Sequence, residues 1–150
     1  MMNYIIDVFT NKILLIAVLS WFVAQVIKVI LTLIKFRELD FTRLFGSGGM
    51  PSSHASFTVS LAVAVAFTTG FSSVEFALAA AFSIVVMYDA TGVRRSAGEQ
   101  AKILNQIVET MKNDKISDTG KKLKELLGHT PIQVFAGAVL GAFIACIFYL

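Results

Sequence analysis

The sequence predicts an all-α integral membrane protein. The expected architecture is a bundle of four transmembrane helices with amphipathic interfacial helices between spans three and four, forming a single domain over residues 1–150. Three observations predict it. Hydrophobic residues make up 56% of the chain and charged residues 15%, against roughly 45–50% and 25% in soluble domains. The apolar residues collect in four long runs, which excludes a disordered tail, a collagen-like fibre and a disulfide scaffold. The basic residues gather in two of the connections, where a cytoplasmic membrane face wants them. The net charge of +3 therefore reads as membrane topology, with no nucleic-acid partner. The single cysteine, Cys146, can form neither an internal bridge nor a cysteine zinc site.

The first run, Ile13 to Ile34, is long enough at about 1.5 Å per residue to cross a hydrocarbon core of roughly 30 Å. A cleaved signal peptide is not expected, because the leader carries Asp7 and no basic residue before Lys12. Ser53 to Phe71 and Val74 to Val93 give the second and third spans, joined by a turn around Gly70, Ser72 and Ser73. Between spans three and four, Ser96 and Glu99 form a capping-box pattern. Ala97, Ala101, Leu104, Val108 and Met111 then mark the apolar face of a helix to about Lys112. A second short helix, Asp118 to Leu127, ends at Gly128. With Lys102, Lys112 and Lys121 to Lys124 around them, both helices are expected along the anionic inner surface. The fourth span, Ile132 to Leu150, is opened by Pro131 and carries Gly137 and Gly141 at G-x-x-x-G spacing. That pair lets a helix approach closely, either a second copy, making a homo-oligomer, or the chain's own spans.

Lysines and arginines set the orientation. The first connection holds Lys35, Arg37 and Arg43; the third holds Arg94, Arg95 and six lysines from Lys102 to Lys124. Both are expected to be cytoplasmic. Within the first span, Trp21, Gln25, Lys28, Thr32 and Lys35 share one stripe. A lysine at mid-span costs about 2.5–3.5 kcal/mol on insertion scales, so Lys28 is expected to face the bundle interior or a wet cavity; the alternative is that it snorkels to the interface.

Three polar clusters fall on that same side: GGMPSSH (48–54), DATGVRR (89–95) and GHTP (128–131). The first is a glycine-rich turn entering the second span, where free backbone N–H groups favour an anion beside Ser52, Ser53 and His54. His129 precedes a Thr130 cap at the start of the fourth span, and Arg94 and Arg95 close the third. These are the parts of metal-free phosphoryl transfer: one imidazole attacks phosphorus, the other protonates the leaving oxygen, and cations with N–H groups hold the remaining oxygens. Consecutive helical residues point about 100° apart. One arginine is therefore expected on phosphate and the other on a carboxylate, Asp89 being nearest in sequence, or on lipid headgroups. Asp89 is also the only third ligand a metal site could draw on, so none is expected.

GGMPSSHAS, YDATGVRRSAGEQAKILNQ and LKELLGHTPIQVFAGAVLG closely resemble the divergent branch of the type 2 phosphatidic acid phosphatase family, relatives of vanadium haloperoxidases, over residues 20–145. The family's P-S-G-H motif matches Pro51, Ser52, Ser53 and His54, with Ser53 in place of glycine. Its last motif matches Gly128, His129, Pro131, Gln133 and Ala136 to Gly137. The resemblance implies His129 as nucleophile, forming a phosphohistidine, and His54 as general acid, with neither metal nor cofactor. Three departures stand out. Leu123 occupies the place of the family arginine, a role that Arg94 or Arg95 would fill. The first motif is approximate and points to Lys28 and Arg43. Gln133 stands where an orienting acid belongs. The expected activity is hydrolysis of a lipid phosphate or diphosphate at the bilayer rim. The alternatives are a catalytically weak phospholipid-binding scaffold or translocation factor, and a small transporter.

Overall fold

The computed structural model describes residues 2–37, 49–113 and 128–150. Among them the regular structure is helical: α1 (Met2–Thr10), α2 (Lys12–Phe36), α3 (Ser53–Thr69), α4 (Val74–Thr91), α5 (Val93–Asn113) and α6 (Pro131–Tyr149). The segments Lys12–Lys35, Val74–Thr110 and Pro131–Tyr149 contain helices long and apolar enough to cross a membrane, and α3 is a shorter apolar helix of 17 residues. The second short helix expected over 118–127 and the Arg43 site lie outside the described residues. Helix α1, in what was read as a plain leader, was not anticipated.

Each span starts at a side chain that satisfies a helix-end N–H, a need sharpened where lipid offers no partner. Asn11 accepts from Leu14 N, Ser52 from Ala55 N, Ser73 from Phe76 N and Thr130 from Gln133 N. Helix α3 stops at Thr69, before the expected Phe71, because Gly70 takes φ 93° at the C-cap. The third span likewise ends at Thr91, where Gly92 departs from helical geometry (φ −103°, ψ −87°). The chain resumes helix at once, which corrects the Ser96 cap. Ser96 already lies inside α5 with its N–H bonded to the Gly92 carbonyl at 2.9 Å, so the N–H is satisfied without a capping box.

Helix α3 is the centre of the bundle and packs on α2, α4 and α6. What it buries is small, hydroxyls and alanines in equal number: Ser53, Ala55, Ser56, Thr58, Ser60, Ala62, Ala64 and Ala66. The large apolar side chains, including Phe22, Leu78, Phe82, Phe135 and Phe143, point outward. This is the inverse of a soluble core and suits helices that associate in lipid through close approach and interhelical hydrogen bonds. Ser20 and Ser56 clasp α2 to α3, with their Oγ atoms 2.6 Å apart and each hydroxyl within reach of the other's carbonyl. Ser83 donates to Thr58 Oγ1 (3.0 Å) between α4 and α3.

Gly137 and Gly141 are buried against the chain's own α3. A Cβ on Gly137 would overlap the Ser52 carbonyl oxygen, and one on Gly141 would overlap that of Ser56. Of the two roles open to the pair, the structure places it within the chain. The far end of the bundle is tied by aromatics: Phe67 stacks on Tyr149 at 5.5 Å, and the Lys12 ammonium sits 4.6 Å above the same ring.

Candidate functional site

The start of α3, the end of α4 and the start of α6 meet at one end of the bundle, held by main-chain bonds. Ser52 N donates to Gln133 O (2.9 Å) and His129 N donates to Ala90 O (3.1 Å). Ala55, Ala90 and Val134 pack beneath them with Met87. The three polar clusters, far apart in sequence, therefore adjoin.

His129 is buried, 5% exposed. Its Nδ1 lies 3.1 Å from Gln133 Oε1, and Thr130 N donates to that same oxygen at 3.1 Å. A backbone N–H can only donate, so the shared atom is the amide oxygen and not the amide nitrogen. An oxygen accepts, so Nδ1 carries the hydrogen, and in the neutral ring the lone pair sits on Nε2. Gln133 thus has two jobs: it completes the capping box that starts α6 and it sets the tautomer of His129.

His54 occupies the first turn of α3, directly after the Ser52 cap and Ser53. It is the one exposed residue between Pro51 and Ala66, all the others being buried or half-buried. Ser52 Oγ is engaged with Ala55 N, and its backbone N–H with Gln133. Lys28 is buried, 3% exposed, and donates to Gln25 Oε1 (2.8 Å) and Ser53 Oγ (3.1 Å). The interior placement expected for Lys28 is met, and snorkelling is not. Its stripe is only partly interior: Gln25 and Lys28 are buried, Trp21 and Thr32 half-buried and Lys35 exposed. Ser53, the departure from the family's glycine, receives the lysine together with Gln25.

Arg95 pairs with Glu99, Nε to Oε1 at 3.2 Å, on the exposed side of α5. A carboxylate partner for one of the two arginines was expected, Asp89 being the nearest in sequence; for Arg95 that carboxylate is Glu99, one turn along the same face of α5. Asp89 is half-buried in the last turn of α4, and Arg94 lies in the first turn of α5. Among the described residues no three His, Cys, Asp or Glu side chains cluster as metal ligands. Sequence reasoning missed the Ala90 carbonyl and the Gly137–Ser52 approach. The second was signalled: Ser52 and Ser56, at the start of α3, repeat the four-residue spacing of Gly137 and Gly141.

Fold and site together define a multi-pass helical membrane protein whose polar residues converge where three helix ends meet. The chain belongs to the Divergent PAP2 family, matching it over residues 9–144. It is similar to the "Uncharacterized membrane protein YuiD" of Bacillus subtilis (strain 168), 43% identical over 145 residues, a match covering 90% of this chain and 92% of the relative. No solved structure matches.

Proposed function

We propose that this protein is a membrane-embedded, metal-independent phosphohydrolase acting on a lipid phosphate or diphosphate through a phosphohistidine. The observation that carries the reading is the tautomer of His129: with Nδ1–H held by Gln133, the Nε2 lone pair is the nucleophile. Nε2 attacks phosphorus, the P–O bond to the lipid breaks, and His54 gives its proton to the departing oxygen. Water then attacks the phosphohistidine, His54 takes the proton, and inorganic phosphate leaves. A buried, oriented ring suits the first role; an exposed ring that exchanges protons with water suits the second. Lys28, Ser52, Ser53, Arg43, Arg94 and Arg95 are assigned to the phosphate oxygens, and Asp89 to orientation of this cluster. The basic connections assign the site to the cytoplasmic face, where a headgroup reaches it without leaving the bilayer.

The test is release of inorganic phosphate from a panel of isoprenoid and glycerol-based lipid phosphates by purified protein in EDTA. Release that disappears in His129→Ala is expected. No release from any member, with the panel still bound, would favour the scaffold reading, to which the uncharged Gln133 lends support.

Lys28 gives a second check. Lys28→Met takes the donor from the buried Gln25 Oε1 and Ser53 Oγ, a cost of about 1–3 kcal/mol that relief of a buried charge offsets. Thermal stability in detergent is therefore expected to change little, while vanadate affinity falls about tenfold or more, the loss of one charge-assisted contact. Lower stability with unchanged vanadate affinity would make Lys28 purely structural.

A further inference from the structure

We infer that α5 is a bilayer-surface helix that seats Val93, Ile103, Leu104 and Ile107 in the acyl–headgroup boundary. The face is not the one that the apolar spacing predicts. Of that predicted set, Ala101 and Val108 are half-buried, on the same side as the buried Gly98 and Asn105, so this edge of α5 lies against protein. The residues left bare are Val93 at 64%, Ile103 at 56%, Leu104 at 48% and Ile107 at 49% exposed. At about 100° per residue they form one strip, which the exposed Ser96 and Gln100 share in its first half, roughly a third of a turn from the protein-facing edge. Arg95, Glu99, Lys102, Gln106 and Glu109, all exposed, occupy the remaining third.

The occupant follows from where α5 begins. Helix α4 has 18 residues, about 27 Å at 1.5 Å each, close to the thickness of a hydrocarbon core. Its outer side, with Leu78, Phe82, Val85 and Tyr88 exposed, is lipid-facing. Only Gly92 separates α4 from α5, so α5 starts at the membrane boundary where α4 ends. A helix with an apolar strip, a charged opposite face and low overall hydrophobicity lies in the interface plane. The placement also bears on the site: Ala90, whose carbonyl holds the His129 amide, lies two residues before the hinge.

The experiment uses full-length protein carrying Cys146→Ser, reconstituted in phosphatidylcholine vesicles with and without phosphatidylglycerol. Single cysteines replace Lys102, Ile103, Gln106 and Ile107 in turn and carry spin labels. Collision with oxygen, which concentrates in lipid, is compared with collision with a water-soluble nickel chelate. The expected oxygen-to-chelate ratio is several-fold higher for Ile103→Cys and Ile107→Cys than for Lys102→Cys and Gln106→Cys. Equal ratios at all four positions would overturn the proposal. So would spin–spin broadening at 103 and 107 that vanishes on dilution with unlabelled protein, because a second copy would then cover the strip. Should either isoleucine variant fail to reconstitute, Leu104→Cys on the same strip reads the same contrast against Gln106→Cys.

Discussion

Gly137→Ala is expected to lower turnover of a lipid phosphate by roughly 10²-fold, the scale of a 1 Å displacement at a reacting pair. Gly141→Ala, one turn further from the site, is expected to lose less than a tenth as much. The two glycines are matched for steric cost. A Cβ on Gly137 would overlap the Ser52 carbonyl oxygen and sit 3.1 Å from Ser52 C and N, while one on Gly141 would overlap the Ser56 carbonyl oxygen and sit 3.0 Å from Ser56 C and Cα. Each alanine must push α6 away from α3, at an overpacking cost of about 1–3 kcal/mol. The difference lies in what moves. At Gly137 the displaced residue is the cap of α3, whose N–H is bonded to Gln133 O, and Gln133 in turn holds the His129 ring. Separation there breaks the link between the helix that carries His54 and the helix that starts beside His129. At Gly141 the displaced residue is Ser56, whose hydroxyl answers to Ser20 and not to the site. Comparable falls in melting temperature with unequal falls in kcat are therefore expected. Equal falls in kcat would mean that the glycines matter for packing alone.

What could be read from the sequence and what could not divide along a physical line. Apolar runs and caps are local, so the spans were legible to within a few residues. Thr130 caps α6 as expected, and Ser52 and Ser73 cap α3 and α4 at the starts that the apolar runs predict. Lys28 was legible because a charge at mid-span has few affordable positions. Helix breaks were harder: Ser96 and Glu99 make a good capping box on paper, but Gly92 supplies the carbonyl that satisfies the Ser96 N–H, so the box has no vacancy to fill. Which carboxylate Arg95 takes was illegible for the same reason, since Glu99 comes within reach only once the helix runs unbroken from Val93. Contacts between elements were least legible. The G-x-x-x-G spacing announces a close approach without naming its other side, and the bond from His129 N to the Ala90 carbonyl joins residues that no local pattern connects.

Gln133→Glu is expected to raise turnover and Gln133→Leu to lower it, with His129→Ala abolishing activity. The wild-type amide oxygen already fixes the ring, standing 3.1 Å from His129 Nδ1 and 3.1 Å from Thr130 N. What a neutral amide lacks is the charge that steadies the ring as it becomes cationic on attacking phosphorus. Glutamate keeps both acceptor contacts, because a capping box takes Glu or Gln equally at this position. The substitution thus adds charge with little change in helix stability, and a gain in kcat isolates the electrostatic contribution. Leucine removes the acceptor, so the ring is no longer held in one tautomer, and it also opens the capping box at a cost of about 0.5–2 kcal/mol. In a serine protease triad, exchanging the orienting aspartate for its amide lowers kcat by about 10⁴, largely through the wrong tautomer. Here the amide oxygen already selects the Nδ1–H tautomer, so the gain on restoring the acid should be well below 10⁴, while the loss with leucine should be the larger of the two changes. Nitrogen NMR of the labelled imidazole adds a readout that helix stability does not move: Nδ1–H predominates in wild type and in Gln133→Glu, and the tautomers mix in Gln133→Leu. If Gln133→Glu has no effect on rate and His129→Ala keeps full activity, His129 is not the nucleophile, whatever holds its ring.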